Sequence, residues 1–204
     1  MLSNFPELKT ERLDLIQIRQ SHLDDFFNLF KDERVAKFYN IIPFNEKKEA
    51  QLYLDLFEFR FKRKTGIRWG IALKGEESII GTIGFNNFQK NHSGNLGFDL
   101  QFEYWNKGLI SEALKEIIKY GFQQLEINRM EADVQLGNIG SEKVLEKLGF
   151  RKEGILRDWM YWNGNHYDMT MFSLLKRDFE FEKLKADNPF DSNLIRGGFF
   201  QRSQ

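Results

Sequence analysis

The stretch Trp105-Asn106-Lys107-Gly108-Leu109-Ile110-Ser111-Glu112-Ala113 combines a glycine, two small polar residues and the start of an apolar periodicity. Beyond Gly108, Leu109, Ala113, Ile117 and Gly121 recur every fourth residue, with Ile110, Leu114, Ile118 and Phe122 beside them. Glu112, Lys115, Glu116, Lys119 and Gln123 fill the remaining face, so the spacing predicts an amphipathic helix that begins at the glycine. Upstream, Leu96, Phe98, Leu100 and Phe102 alternate, which predicts a strand over 95–102. A helix entered from a strand through a glycine turn presents unpaired N–H groups and a partial positive charge. Such an end can hold a phosphate. A second strand-to-helix turn, Gly137-Asn138-Ile139-Gly140-Ser141, follows; Ser141 is placed to cap a short helix and Gly149 to end it. Turns at the C-terminal ends of strands are where ligands bind in open sheets.

Other chemistries are absent from the pattern. There is no Gly-x-x-x-x-Gly-Lys-Ser/Thr, Gly-x-Gly-x-x-Gly, Gly-x-Ser-x-Gly or His-Glu-x-x-His. His22, His92 and His166 lie far apart without ligand spacing, so no metal site is expected. The chain has no cysteine, which removes disulfides and thiol nucleophiles. Lys plus Arg number 30 and so do Asp plus Glu, leaving no basic footprint for nucleic acid. The start of the chain has no basic stretch followed by an apolar core, and no apolar run is long enough for a membrane span; a cytoplasmic location is expected.

The positioning elements follow from periodicity. Thr10 to Ile18 reads as a first strand, and Ser21 as the cap of a helix whose buried stripe is Leu23, Phe26, Phe27 and Phe30. Asn45 is placed to cap a second helix reaching about Lys64. That helix is apolar on more than one face, so it is buried on both or lines a pocket. Ile67–Leu73 and Ile79–Phe85 read as a hairpin, Asn128–Val134 as a strand, and Phe150–Trp162 with His166–Leu175 as a hairpin turning at Asn163-Gly164. Three consecutive strands, a helix, a strand, a helix and a closing hairpin describe an α+β fold with a mixed sheet, not a doubly wound one. One domain over 1–178 is expected, with an extension over 179–204 that is mobile or docks through Phe199-Phe200.

Several stretches together resemble one family. They are Leu8 to Leu13, Tyr104 to Ala113, Tyr120-Gly121-Phe122, Asn138 to Ser141, Val144 to Gly154 and Asp168 to Lys176. The chain resembles the GNAT acetyltransferase superfamily, in its RimJ/RimL branch of ribosomal-protein N-terminal acetyltransferases. The resemblance implies a mixed, mostly antiparallel, twisted sheet with helices on both faces, and acetyl-CoA as cosubstrate without a metal. The family's pyrophosphate loop is Gln/Arg-x-x-Gly-x-Gly/Ala; here Trp105 stands first, Gly108 conforms and Ile110 stands last. By resemblance, N–H groups of Asn106, Lys107, Gly108, Leu109, Ile110 and Ser111 hold the pyrophosphate. Leu100 and Phe102 pair with the pantetheine arm like an added strand, a backbone N–H near Leu100 serves the oxyanion, Asn138 contacts the pantetheine from the opposite wall, and Lys147 approaches the phosphates. Asn138 as a simple turn residue is the competing role.

The implied reaction is direct attack of a neutral amine on the thioester, which needs a proton acceptor, an oxyanion donor and a donor to the departing sulfur. Ser141 is the candidate donor to sulfur and Glu103 a candidate base acting through water, with a plain surface carboxylate as its alternative. Roughly 10–15% of α-amines (pKa ~7.8) are neutral near pH 7, against roughly 0.04% of lysine amines (pKa ~10.4), a gap of ~3.5 kcal/mol. Without an obvious strong base, a protein or peptide N-terminal α-amine, such as that of a ribosomal protein, is the expected acceptor. A small-molecule amine, a non-catalytic acyl-CoA-binding role and a partner-binding role for the Phe-rich helix and tail are the alternatives. Trp159, Tyr161 and Trp162 line the acceptor pocket or stabilise the sheet. Oligomeric state is left open.

Overall fold

In the computed structural model, which describes residues 4–39 and 41–179, the elements are β1 (Leu8–Lys9), β2 (Leu13–Gln17), α1 (Leu23–Lys31), α2 (Glu33–Ala36), α3 (Lys47–Arg63), β3 (Ile67–Leu73), β4 (Ile79–Phe88), β5 (Ser93–Leu100), α4 (Leu109–Gln123), β6 (Arg129–Gln135), α5 (Ile139–Lys147), β7 (Arg151–Trp162) and β8 (Asn165–Leu175). The strands form one eight-stranded sheet in the order β1-β2-β3-β4-β5-β6-β8-β7. Every pairing is antiparallel except β5 with β6.

Strand periodicity distributes side chains to two cores. Leu13 and Leu15 of β2 join Trp69, Ile83, Ala113, Leu114 and Ile117 on the α4 face, whereas Ile16 and Ile18 pack with Phe26, Phe30, Phe44, Ala50 and Leu54 of the α1–α3 face. With both faces covered, β3 is buried almost without interruption, as central strands are when helices lie on either side. The α+β architecture with helices on both faces is therefore as expected.

Several local expectations need correction. The first strand is broken at Thr10–Arg12, where the chain turns between β1 and β2. Ser21 does not cap α1: a 3-10 turn at Gln20–His22 precedes the helix, and His22 Nδ1 accepts the Arg19 N–H at 3.0 Å. The N-cap of α3 is Glu46, not Asn45, because the Glu49 carboxylate reaches back to the N–H groups of both residues. β5 ends at Leu100, and Phe102 lies in a 3-10 turn, Phe102–Tyr104. Asn138, not Ser141, caps α5. Of the extension over 179–204 only Phe179 is among the described residues; its ring centroid stands 5.3 Å from that of Phe122. The remainder, with Phe199-Phe200, lies outside them. No helix among the described residues is long and apolar enough to cross a membrane.

Candidate active site

The sheet opens at its single parallel pair. β5 and β6 are joined only from Ser93–Asn95 to Arg129–Glu131, and past that point each strand pairs on its outer side alone, β5 with β4 and β6 with β8. Two cavities fill the gap. One, of 380 Å³, lies toward the start of α4; the other, of 530 Å³, lies between β5, β6, α3 and the β7–β8 hairpin. Phe38, Tyr39, Phe98, Asn138 and Ser141 line both, so the cavities meet there. Because the Gln101 N–H donates to Ile80 O on the β4 side at 2.8 Å, strand alternation turns the backbone groups of Phe98 and Leu100 toward the gap. The Leu100 carbonyl is already taken by the indole Nε1–H of Trp105 at 2.7 Å. Its N–H is left facing the cleft.

The smaller cavity ends at the loop before α4. Asn106 and Gly108 both adopt left-handed backbone, with φ of 59° and 76°. Asn and Gly are the residues that tolerate this at least cost. The first-turn N–H groups of α4 point into a region where no helical carbonyl precedes them. A fastening from the N-terminal part of the chain fixes the loop. Glu112, in the first turn, accepts from Thr10 Oγ1 (2.5 Å), Arg12 N (2.8 Å) and Arg12 Nε (2.6 Å), while Arg12 Nη1 donates to Lys107 O at 3.1 Å. Burial acts to raise the Glu112 carboxyl, but these donors outweigh it and hold the group below its usual range. An exposed ion pair alone contributes little, yet three bonds converging on one carboxylate fix a geometry.

The wall opposite β5 is the start of α5. Asn138 Oδ1 accepts the Ser141 N–H at 3.2 Å as helix cap. The oxygen is therefore committed to the cap, and Asn138 lines both cavities. Ser141 keeps its hydroxyl free for the junction. Arg34, itself paired with Asp32, and Lys143 and Lys147 also line the smaller cavity, and the one carboxylate lining it among the described residues, Asp99, is spent on a buried pair. Asp99 accepts from Arg68 Nη2 at 2.6 Å and from the Thr82 hydroxyl and amide, both at 2.8 Å. Burial alone would lower the Arg68 guanidinium, but Tyr39 and Asp99 reverse this and hold it above its usual range. Burial raises the Tyr39 phenol, which accepts from Arg68 Nη2 at 3.1 Å.

The sequence-derived residues fall unevenly on this geometry. Leu100, Asn106, Gly108, Leu109, Ile110, Ser111, Asn138, Ser141 and Lys147 come together around the smaller cavity. Ile110 packs partly against the α4-face core, so its bulk is absorbed by the interior. Lys107 sits in the loop but lines neither cavity; its carbonyl is turned to Arg12 and its ammonium lies over the Tyr104 ring. Phe102 does not extend the strand edge: beyond the end of β5 it is exposed, packed on Trp105 and under the Arg34 guanidinium. Phe98 takes its place on the edge. Glu103 stands exposed on the same 3-10 turn and lines neither cavity. Helix α3 lines the larger cavity through Tyr53, Leu56, Phe57 and Arg60 while Leu52 and Phe59 face out, so it is not buried on both sides. Trp159 and Trp162 line that cavity; Tyr161 does not, and its ring packs at a tilt against His166.

Tyr39, Phe98 and Asp99 of the cleft, and Arg68 paired behind Asp99, were not reached from the sequence as site residues. A lone Arg and a lone Asp inside otherwise apolar strands were a usable signal, because such charges must pair when buried. Among the described residues no cluster of three or more His, Asp or Glu side chains is arranged to hold a metal.

Known proteins match this geometry. Residues 12–151 match the family model described as an acetyltransferase (GNAT) domain. An uncharacterised N-acetyltransferase of Bacillus subtilis (strain 168) is 36% identical over 173 residues, 84% of this chain and 98% of the relative. A ribosomal protein uS5 alanine N-acetyltransferase of Escherichia coli (strain K12) is 30% identical over 119 residues, 57% of this chain and 61% of that protein. Among solved structures, a ribosomal-protein-S5-alanine acetyltransferase from Vibrio fischeri superposes with a TM-score of 0.72 at 26% identity, covering 85% of this chain and 98% of its own. A split parallel pair bounded by a glycine-turn helix, together with these matches, means that the chain belongs to the GNAT family of acetyltransferases.

Proposed function

We propose that this N-acetyltransferase transfers the acetyl group of acetyl-CoA to the α-amine of a peptide or protein N-terminus. Acetyl-CoA is the family's acyl donor, and the residues present fit it on three counts: a free strand edge at Phe98 and Leu100, a helix start with unpaired N–H groups, and a cavity mouth with three cations. In this reading Asn106, Leu109, Ile110 and Ser111 hold the pyrophosphate through backbone N–H groups, and Arg34, Lys143 and Lys147 add positive charge. Phe98 hydrogen-bonds the pantetheine arm as a neighbouring strand would, and the Asn138 amide nitrogen donates from the other wall. The Leu100 N–H, freed of competition because Trp105 occupies only the carbonyl, donates to the oxygen on which charge develops. The Ser141 hydroxyl donates to the sulfur as the C–S bond breaks.

The composition of the larger cavity carries the choice of acceptor. Among the described residues its charged lining is Arg60 and Asp133 alone, whereas Asn86, Asn87, Asn95, Gln135 and Asn138 present five amide side chains. A polycationic amine needs several carboxylates around it. A peptide needs amide partners for its backbone and one place for a single amine. The scarcity of strong bases favours an α-amine by the ~3.5 kcal/mol that separates it from lysine. The relatives named for ribosomal-protein alanine acetylation support the same class, with a ribosomal protein as one candidate acceptor.

The test is release of free CoA from acetyl-CoA with three acceptor sets: peptides with a free N-terminus, the same peptides N-terminally blocked but carrying lysine, and polyamines. Turnover on the first set alone is the expected result. Turnover confined to polyamines would replace the acceptor class, and CoA binding without turnover on any set would remove the catalytic reading.

A further inference from the structure

The basic residues that end α3 are used unequally. Arg60, Lys62 and Arg63 all lie in its last turn. Lys62 pairs with Glu58 at 2.6 Å, and Arg63 lies over the exposed Phe59 ring at 5.5 Å. Arg60 is turned the other way. It lines the larger cavity with Leu56 and Phe57, one helical turn before it, and its guanidinium has no hydrogen bond or ion pair with any described residue. It is half-buried, and it is the one cation among the described residues that line this cavity. A base in the last turn favours the helix dipole wherever it points. Lys62 and Arg63 already fill that role, which gives no reason for a guanidinium to face aromatic rings and amides.

Register places Arg60 relative to the reacting atoms. A Cβ on Gly66 would lie 3.3 Å from Arg60 Cβ and 2.7 Å from the Asn86 carbonyl oxygen, so Arg60 stands over Asn86 and Asn87 of β4. Asn87 pairs with Asn95 of β5, the last residue that β5 shares with β6, so this is the closed end of the gap. Leu100 is five residues further along β5, which is ~16 Å at ~3.3 Å per residue. The floor of the larger cavity follows that line through Asn95, Leu96, Gly97 and Phe98. An extended acceptor whose first nitrogen reaches the Leu100 level brings its third or fourth residue within the reach of the arginine side chain. Asp133 lies two residues beyond Glu131, the last β6 residue paired with β5, and so stands nearer the reacting atoms than Arg60. The cavity therefore has a direction. An amine is drawn toward Asp133 and a carboxylate toward Arg60, and the reverse orientation brings like charges together.

We infer that Arg60 selects the acceptor by taking a carboxylate on the third or fourth residue of the peptide whose α-amine is acetylated. The inference rests on the acceptor class proposed above and narrows it to acidic N-terminal segments. A guanidinium offers its N–H groups in a planar fork that matches both oxygens of a carboxylate, and here no acceptor of the protein competes for that fork. A side-chain amide at the same place can take such a bond without the charge, and an ammonium is repelled. The order of preference is thus glutamate, then glutamine, then lysine. The terminal carboxylate of a tetrapeptide presents the same group at the same distance.

Steady-state kinetics on the full chain tests the assignment, with acetyl-CoA and C-terminally amidated hexapeptides that begin in alanine and carry glutamate, glutamine or lysine at the third or fourth residue. Neutral tetrapeptides with free and amidated ends form a second arm. The parent is expected to favour glutamate over glutamine about tenfold in kcat/KM at one of the two positions. The gain lies in KM, because the contact is remote from the reacting atoms. Arg60→Gln is expected to lose most of that preference, and Arg60→Glu to reverse it in favour of lysine. The acetyl-CoA Kd should stay within about twofold in both variants, since Arg60 does not line the smaller cavity. If free tetrapeptides outrun the glutamate hexapeptides, the acidic side chain is overturned as the source of the carboxylate and the chain end takes its place. Equal kcat/KM for the three hexapeptides in the parent, or a glutamate preference that survives in Arg60→Glu, would overturn the assignment while leaving α-amine acetylation standing. Losses in Arg60→Gln that are equal on every peptide and follow the thermal midpoint would return Arg60 to the helix end. Absence of turnover by the parent on every peptide would overturn both readings.

Discussion

The two cavities on either side of Ser141 are built from different material. The smaller is made largely of backbone: a strand edge at Phe98 and Leu100, left-handed turns at Asn106 and Gly108, and the opening of α4. The larger is made of side chains delivered by α3, β4, β5, β6 and β7. Backbone donors stay in place when side chains change, so the donor half of the site can be shared across a family while the acceptor half varies freely. This contrast also orders what substitutions should do.

The largest effect is expected from the backbone half. In Gly108→Asp the new carboxylate enters at a φ of 76° beside the N–H groups proposed to hold the pyrophosphate. Like-charge repulsion of about 2–3 kcal/mol corresponds to a roughly hundredfold weaker acetyl-CoA Kd. Arg12 Nη2, 3.7 Å from that Cβ, offsets part of it. Calorimetry measures the loss, and an unchanged Kd would detach the loop from the site.

Ser141→Ala comes next and separates chemistry from folding. The helix cap is Asn138, so removal of the Ser141 hydroxyl leaves the cap bond to its N–H intact. A fall of about tenfold in kcat is expected, with acetyl-CoA affinity and thermal midpoint retained. Asn138→Ala should do the reverse in part: it removes the cap, at about 1 kcal/mol, and lowers thermal midpoint together with acetyl-CoA affinity. If both variants lose stability equally, the division of labour between the two residues is wrong.

The smallest effect lies at the fastening of the loop. The folded-state pKa of Glu112 is below its ordinary 4.5, so its contribution to stability is present above that value and is lost as pH falls through the depressed folded-state value. Glu112→Gln should therefore be less stable than the parent at neutral pH, and the difference should close in acid. Thermal melts across pH 3–7 on the two chains, roughly spanning the ordinary and depressed carboxyl range, measure it. A difference that persists at the acid end would assign the effect to lost packing.

The same contrast explains what could be read from the sequence. The loop, α4 and the α5 turn were legible because periodicity, a glycine and cap residues are local signals, and the closing hairpin announced itself through Asn163-Gly164, both of which take positive φ. The strand edge was misjudged by two residues because alternation continues through Phe102, although the chain leaves the sheet after Leu100 to let Trp105 reach back to its carbonyl. The caps at Asn45 and Ser21 failed for a related reason: Glu49 and His22 supply the same acceptors from inside the turn. The hydrogen bonds that run from Arg68 through Asn86 and Asn95 to Asp133, one residue on each of four adjacent strands, have no local signature. Each of the four is an ordinary polar residue until β3, β4, β5 and β6 lie side by side, and the short α2 was too brief for any period to show.

The fastening of Glu112 by Thr10 and Arg12 joins positions 102 and 100 residues apart in the chain. A contact of that span forms only after the intervening strands have assembled, because loop closure must be offset by the pairing between. Helix α4 can thus be wound well before its first turn is held ready for an anion. Competence for nucleotide binding becomes a late event in maturation, reached only once the N-terminal turn has met the middle of the sequence. Stopped-flow refolding should show Trp105 quenching by CoA trailing the far-ultraviolet helix signal, and coincident phases would mean that the loop forms without its distant strap.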